Sequence, residues 1–280
     1  MKLTLAIVAT SALSACACSC AAEGPALLLV STQALTPAPF DHSHQLLTQV
    51  LASHVSRAGV DYANLAKESD LLNRYLAGVQ AVRPEELALW TEPQQFAFWI
   101  NTYNAHILRL ILDHYPIESI RDLGGTIFGL VWDLPLIPMG SHNPDGSGEP
   151  LSFGDLEHQI LRPRFKDARV HAAINCASVS CPPILAEAFE ATKIEQQLDD
   201  AMRAFVLDEE RNHLIQESNR LELSGIFDWF QTDFDRDAGS VRQFVLQYAG
   251  DSGGDWILGA NLSYLDYSWA LNDHSGLAGE

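Results

Sequence analysis

Apolar residues recur at helical spacing in six stretches of the chain, and each stretch predicts a helix. The six predicted helices cover about residues 41–56, 71–79, 91–115, 152–161, 192–206 and 241–248. The third is the strongest, because Thr91 and Gln94 have the spacing of a capping box and Pro93 falls in the first turn. Thr192 with Glu195 repeats the capping-box spacing ahead of the fifth helix.

Two other stretches alternate with the period of a β-strand. Apolar Val170, Ala172 and Ile174 alternate with other residues over 169–175, which predicts a buried strand. Residues 214–215 and 221–223 flank a Ser218–Asn219 turn and predict a hairpin, whereas 117–150 is rich in glycine and proline and predicts a long irregular connection. The pattern therefore predicts an α+β fold, a helix-rich single domain with a small, mostly antiparallel sheet.

The N-terminal stretch has the pattern of an export signal. Lys2 precedes a short apolar run that ends in Leu13-Ser14-Ala15-Cys16, similar to the lipobox of bacterial lipoproteins. We expect residues 1–15 to be a signal peptide, Cys16 to be lipidated, 16–40 to be a tether and 41–280 to be the domain. Simple secretion after cleavage by ordinary signal peptidase is the alternative. Either way the protein is expected to be exported to the cell envelope, on the periplasmic side.

Composition and charge narrow the classes of partner. The 280 residues include 36 acidic and 17 basic side chains, for a net charge of −19, which argues against a nucleic-acid partner and against a polybasic membrane surface. With 47% hydrophobic residues the chain is not an acidic disordered protein. We expect an unidentified substrate, no cofactor, no nucleic acid, and membrane contact only through the N-terminal lipid anchor.

The domain contains two cysteines, Cys176 and Cys181, of which Cys176 ends the predicted strand and is the candidate nucleophile. His171 and His158 are both candidates for the base, and Glu157 is the candidate for the acid that orients the base. Strict alternation puts Cys176 on the strand face opposite His171, so this pair requires the strand to end at Asn175.

Several polar residues near these groups are candidates for substrate binding. The candidates are Asn101, Asn104, Asn175 and Arg162. Asn101 and Asn104 interrupt the strongest apolar helix, and their alternative role is that of core amides that fix a neighbouring loop. The aromatic segments 228–230 and 266–269 offer rings for a ligand, although core packing is the favoured interpretation of those rings.

Other uses of the two cysteines stay open. In an oxidising compartment Cys176 and Cys181 can form a structural disulfide, with a short loop that stabilises by about 2 kcal/mol or less. They can instead act as a redox pair, with Cys181 as the resolving thiol, although their spacing exceeds that of Cys-x-x-Cys. We predict no metal site, because the cysteine spacing exceeds that of the usual zinc pair and no second pair follows.

Several separated motifs resemble one known family. The motifs are Val60-Asp61-Tyr62, residues 98–105, 156–162, 171–182, 227–234 and 264–272, in this order along the chain. Together they resemble the domain of unknown function 547 family over roughly residues 55–275. The resemblance maps the family's cysteine segment and Glu-His pair onto Cys176, Cys181, Glu157, His158 and His171. Members are largely uncharacterised, and some are fused to glutaredoxin-like modules, which is compatible with thiol chemistry.

These observations favour an exported cysteine-dependent enzyme, a hydrolase or acyl transferase that acts on an amide or thioester. The Cys, His and acid set allows a likeness to papain- or transglutaminase-type cysteine hydrolases. Both histidines precede the cysteine here, which departs from the papain-type order. The alternatives are a thiol–disulfide redox protein that uses Cys176 and Cys181, and a non-enzymatic ligand-binding lipoprotein.

Overall fold

Each of the six apolar stripes forms a helix in the computed structural model, which describes residues 39–124 and 130–274. These residues belong to a unit that spans Pro39–Glu280. The predicted signal peptide, the lipidation of Cys16 and nearly all of the predicted tether lie outside the described residues. Phe40, at the end of that tether, packs its ring against Trp90 and Phe98, so the packed part of the chain includes it.

The α+β class is confirmed, because many helices accompany two small sheets. The N-terminal elements are α1 (Gln45–His54), β1 (Val55–Ser56), β2 (Gly59–Val60), α2 (Tyr62–Lys67), α3 (Asp70–Ala81), α4 (Pro84–Leu87) and α5 (Glu92–His114). The central elements are α6 (Phe153–Asp155), a π-helical turn (Leu156–Leu161), α7 (Arg162–Phe165), α8 (Val170–Ala173) and α9 (Ile194–Val206). The C-terminal elements are β3 (His213–Ile215), β4 (Arg220–Leu223), α10 (Ile226–Trp229), α11 (Gln231–Ala238), α12 (Val241–Tyr248), α13 (Trp256–Gly259) and β5 (Asn261–Tyr264).

Of the two predicted capping boxes, one forms and the other does not. Thr91 and Gln94 make the predicted reciprocal capping box at the start of α5. The predicted box of Thr192 and Glu195 is wrong: α9 begins at Ile194, its N-cap is Lys193, and no side chain caps it. The Glu195 carboxylate instead accepts a hydrogen bond from Arg169 at 2.7 Å, so it is not available to the helix N-terminus.

The strand predicted over 169–175 is wrong, because this stretch forms the short helix α8 followed by a loop. Val170, His171, Ala172 and Ala173 are all buried, so both faces of the segment pack against protein. Alternation of apolar and polar residues indicates a strand only when one face is exposed, and alanine favours the helix.

The predicted hairpin is confirmed. Strands β3 and β4 pair antiparallel with Leu214 opposite Leu221, and Asn219 takes a left-handed conformation in the turn between them. The sequence pattern missed β5, which adds to β4 in parallel and makes a three-stranded sheet. Strands β1 and β2 form a second, two-stranded antiparallel sheet.

Two clusters of buried side chains make up the core, and α8 lies between them. Val170 and Ala173 pack with the cluster built around α5, whereas Ala172 packs with the cluster of α9–α13 and the three-stranded sheet. Within residues 39–124 and 130–274, no helix combines the length and the apolar character needed to cross a bilayer.

Candidate active site

A cavity of about 490 Å³ draws its wall from both core clusters and contains Cys176. Its aromatic lining residues are Tyr103, Trp132, Trp229, Phe230, Tyr267 and Trp269. The lining also includes the titratable side chains of Glu157, His171, Cys176 and Cys181, and Arg121 adds a positive charge. An apolar wall with a few convergent polar groups is typical of small-molecule sites.

The Cys176 thiol is half-buried and has three polar neighbours. Its Sγ lies 3.2 Å from Ser178 Oγ and 3.2 Å from Tyr267 Oη, and the two hydroxyl oxygens are 2.9 Å apart. A hydrogen bond with the Cys181 thiol and those with Ser178 and Tyr267 outweigh burial and lower the pKa of Cys176 to about 7. Near neutral pH a large fraction of this thiol is therefore the nucleophilic thiolate.

Cys181 is the buried partner of the pair, and both cysteines are free thiols. Its Sγ accepts a hydrogen bond from the backbone N–H of Cys176 at 3.0 Å. Burial, together with the neighbouring Cys176, raises the pKa of Cys181 well above its ordinary value. One thiol is thus activated and accessible from the cavity, whereas the other is buried and protonated.

Asparagine side chains hold the cysteine loop, residues 174–182, in place. Asn104 donates to the carbonyl of Ala173 at 2.9 Å and accepts from the backbone N–H of Asn175 at 2.9 Å. The Asn175 side chain donates to Pro182 O and accepts from Ala177 N, both at 2.8 Å. These bonds hold the buried Ala177 in a left-handed conformation, at φ 59°, in which alanine is strained.

The C-terminal segment and Arg211 fix the same loop from other sides. Val179 N–H donates to Ala270 O at 2.8 Å, which brings the 266–272 segment, and with it Tyr267, beside Cys176. Arg211 donates to the carbonyls of Cys181 and Val179 at 2.8 and 2.7 Å.

Glu157 reaches the cavity from the π-helical turn. Pro163 follows this turn, and because proline lacks an N–H and its ring crowds the carbonyl four residues earlier, the regular helix cannot continue through it unchanged. Burial, the largest influence on Glu157, raises the pKa of its carboxyl to about 7. The carboxyl has no hydrogen-bond partner among the described residues, and its Oε1 lies 3.8 Å from His171 Nδ1.

His171 binds to an acid that the sequence analysis did not select. Its Nε2 lies 2.8 Å from Oδ2 of Asp233, which also accepts from Arg162 Nε at 2.6 Å, and its ring stacks on Phe230 at 3.9 Å. Burial raises the pKa of Asp233, but the hydrogen bonds of His171 and Arg162 hold it well below its usual range. Burial lowers the pKa of His171, so the imidazole is neutral at pH 7.

The structure brings Cys176, Cys181, His171 and Glu157 to one cavity and leaves the other predicted site residues outside its described lining. His158 is exposed and accepts a hydrogen bond from Arg162 at 2.9 Å. The Asn101 amide bonds to the backbone of Phe189, as Asn104 does to residues 173 and 175. Neither histidine is a hydrogen-bond partner of Cys176 in the described part of the chain. The substrate-binding roles of Asn101, Asn104, Asn175 and Arg162 stay predictions.

The residues that sequence reasoning missed are Asp233, Tyr267, Ser178 and Arg211. Tyr267 lies in a segment selected only for its rings, and Asp233 lies 62 residues from His171, so no local spacing signals either contact. Among residues 39–124 and 130–274, no three His, Cys, Asp or Glu side chains are arranged to hold a metal ion.

Comparison with protein families gives a match for the central part of the chain. Residues 87–206 match the family described as protein of unknown function, DUF547, which supports the resemblance to that family over this segment. The matched segment contains Glu157, His171, Cys176 and Cys181 and ends before Asp233 and Tyr267. No curated protein matches the chain, and no solved structure matches it.

Proposed function

We propose that this protein carries out thiol–disulfide exchange, with Cys176 as the nucleophile and Cys181 as the resolving thiol. The position of the two cysteines carries the proposal: the backbone N–H of Cys176 donates to Cys181 Sγ at 3.0 Å, and the pKa is lowered at the cavity-facing Cys176 and raised at the buried Cys181. An exchange pair needs this asymmetry: one thiol must attack near neutral pH, and the other must stay protonated until the mixed disulfide forms.

The reaction has two steps. The Cys176 thiolate attacks one sulfur of a substrate disulfide; that S–S bond breaks, a mixed disulfide forms on Cys176, and the first substrate thiolate leaves. Cys181 loses its proton to the departing thiolate and attacks Cys176 Sγ, and the second substrate thiolate leaves and takes a proton from water. The dithiol gives up two electrons, the substrate disulfide becomes two thiols, and Cys176 and Cys181 become a disulfide.

Bis(2-hydroxyethyl) disulfide, a small uncharged substrate, tests this function. We expect the reduced full-length protein to release both substrate thiols and to acquire a 176–181 disulfide. Cys181→Ser traps the mixed disulfide on Cys176, and Cys176→Ser forms no adduct in the domain. Peptide mapping separates these adducts from any on Cys16, Cys18 or Cys20. If Cys181→Ser releases both substrate thiols, the proposal is contradicted.

Acyl transfer is the second candidate, favoured by the His171–Asp233 pair in the wall of the same cavity. In this reaction the Cys176 thiolate attacks a thioester carbonyl, the substrate thiolate leaves, and water hydrolyses the acyl-cysteine with His171 as base. Because Cys181 takes no part, Cys181→Ser retains thioester turnover, and His171→Ala and Asp233→Asn lower it. Binding of ligands without turnover of either substrate class favours the non-enzymatic alternative.

We further propose that the protein is exported and anchored through a lipid on Cys16. The support is the sequence pattern alone: the charged Lys2, the short apolar run and the lipobox-like Leu13–Cys16. In a bacterial host, the full-length protein is then expected to incorporate labelled fatty acid and to sediment with membranes. Cys16→Ala loses both properties, and incorporation that persists in this variant excludes Cys16 as the anchor site.

A further inference from the structure

The cavity is lined by an almost continuous aromatic surface and by a carboxyl that has no hydrogen-bond partner among the described residues. Trp132, Trp229, Tyr267 and Trp269, here called the aromatic wall, contact one another with ring centroids 4.6–5.9 Å apart. Trp229 is half exposed, so part of its indole ring is open to a ligand.

The Glu157 carboxyl is a hydrogen-bond acceptor in this cavity for which the described residues supply no donor. It is 8% exposed, lines the cavity and makes no hydrogen bond with any residue that the structure describes. A buried polar group without a partner costs free energy, so a ligand that satisfies it gains affinity. His171 Nδ1, 3.8 Å from Glu157 Oε1, makes no hydrogen bond either and adds a second acceptor if Nε2–H donates to Asp233.

From this geometry we infer that the cavity binds an organic cation, an amine or quaternary ammonium group attached to an apolar body. Aromatic faces attract such cations through their π-electrons, and the Glu157 carboxylate in the same cavity supplies a countercharge. The aromatic wall already accommodates one cation of the chain itself, since the exposed Arg121 guanidinium lies 5.4 Å above the Trp269 ring. The net charge of −19 also attracts cations and repels anions.

That organic cations are the substrates of the exchange reaction rests on the proposed function. That the cavity prefers organic cations as ligands does not rest on it. We therefore test it in Cys176→Ala, which has no nucleophile. The probe is benzyltrimethylammonium, compared with neutral benzyl alcohol and anionic phenylacetate, and binding is followed by tryptophan fluorescence and calorimetry. The cation is expected to bind at least tenfold more tightly than either comparator at pH 8.

The pH dependence of probe affinity tests whether the Glu157 carboxyl binds the cation. The groups around Glu157 are Tyr103 from α5, Arg162 from α7, His171 from α8, Asp233 from α11 and Cys176 from the loop. Burial raises the pKa of the Glu157 carboxyl to about 7 in the wild type, and removing Cys176 takes away a smaller influence that also raises it. If only the carboxylate form binds the probe, the affinity is higher at pH 8 than at pH 6, by up to about tenfold.

Glu157→Gln, made in the same Cys176→Ala background, keeps the size of the side chain and removes its charge. It is expected to lose about tenfold in affinity at pH 8 and to lose the pH dependence, whereas Glu149→Gln, an exposed site with the same change in charge, loses neither. Equal or tighter binding of a comparator, unchanged affinity in Glu157→Gln, or no binding of the cation overturns the inference. Disulfide exchange with the uncharged substrate is unaffected by these outcomes, so each proposal fails separately.

Discussion

Cys176 combines partial burial with a low pKa, two properties that usually oppose each other. Burial alone raises the pKa of a thiol, because it removes the water that stabilises the thiolate. Here the Cys181 thiol and the Ser178 and Tyr267 hydroxyls replace that water with hydrogen bonds to the sulfur. Reactivity of Cys176 therefore depends on its neighbours and not on a histidine.

The pH dependence of alkylation measures this stabilisation. The rate of Cys176 labelling by iodoacetamide, followed by peptide mapping, is expected to rise with a midpoint near pH 7. The midpoint rises towards the ordinary value of 9.0 in Cys181→Ala, which removes the donor, by the largest amount, and in Tyr267→Phe by a smaller one. Tyr264→Phe, outside the cavity, is the control and leaves the midpoint unchanged. A midpoint near 9 in the wild type contradicts this account.

Glu157 is predicted to lower stability at alkaline pH. Its pKa is about 7 in the folded protein against 4.5 in the unfolded chain, so the unfolded state ionises first as the pH rises. No penalty exists below pH 4.5; it grows between pH 4.5 and 7 and reaches about 3 kcal/mol above that range.

Glu157→Gln removes this penalty. The variant is therefore expected to be more stable than the wild type at pH 8, by up to about 3 kcal/mol in denaturant unfolding, and equally stable near pH 4. A variant that is less stable than the wild type at pH 8 would show that the Glu157 carboxylate has a stabilising partner in the fold.

At the scale of elements, α5 supports the cysteine loop. Asn104 exchanges two hydrogen bonds with the backbone on either side of Ile174, where α8 ends and the loop begins. Asn104→Ala leaves a buried carbonyl and a buried N–H unpaired, so we expect a loss of about 2–3 kcal/mol in the free energy of unfolding. Asn73→Ala, on the exposed face of α3, is the control. A loss of less than about 0.5 kcal/mol relative to that control would contradict the assigned role.

Elements whose signal is local were predictable from the sequence. The capping box of Thr91 and Gln94 and the apolar stripe behind it predicted α5, and two short apolar runs around Ser218–Asn219 predicted the hairpin. The α8 segment was not predictable from alternation, because both of its faces are buried. The candidate site was found in part for the same reason: Cys176 and Cys181 are close in sequence, whereas Asp233 and Tyr267 reach them through tertiary contacts.

At the scale of the whole molecule, the net charge of −19 predicts how charged substrates approach. Cationic cystamine is expected to react with Cys176 faster than anionic dithiodipropionate, and raising the salt concentration reduces the ratio of the two rates. Any preference for cystamine that persists at 1 M salt comes from charges inside the cavity, and we expect it to be lost in Glu157→Gln. Equal rates for the two disulfides at low salt would contradict the role given to charge.

A redox titration of the Cys176–Cys181 pair in the full-length protein tests directly whether the two cysteines act as an exchange pair. Glutathione buffers set the potential, and peptide mapping after rapid alkylation gives the fraction of the 176–181 disulfide. We expect one reversible two-electron transition within the range of exchange proteins, about −270 to −120 mV. A pair that stays reduced across this range, or forms only mixed disulfides with glutathione, would contradict the assignment of thiol–disulfide exchange.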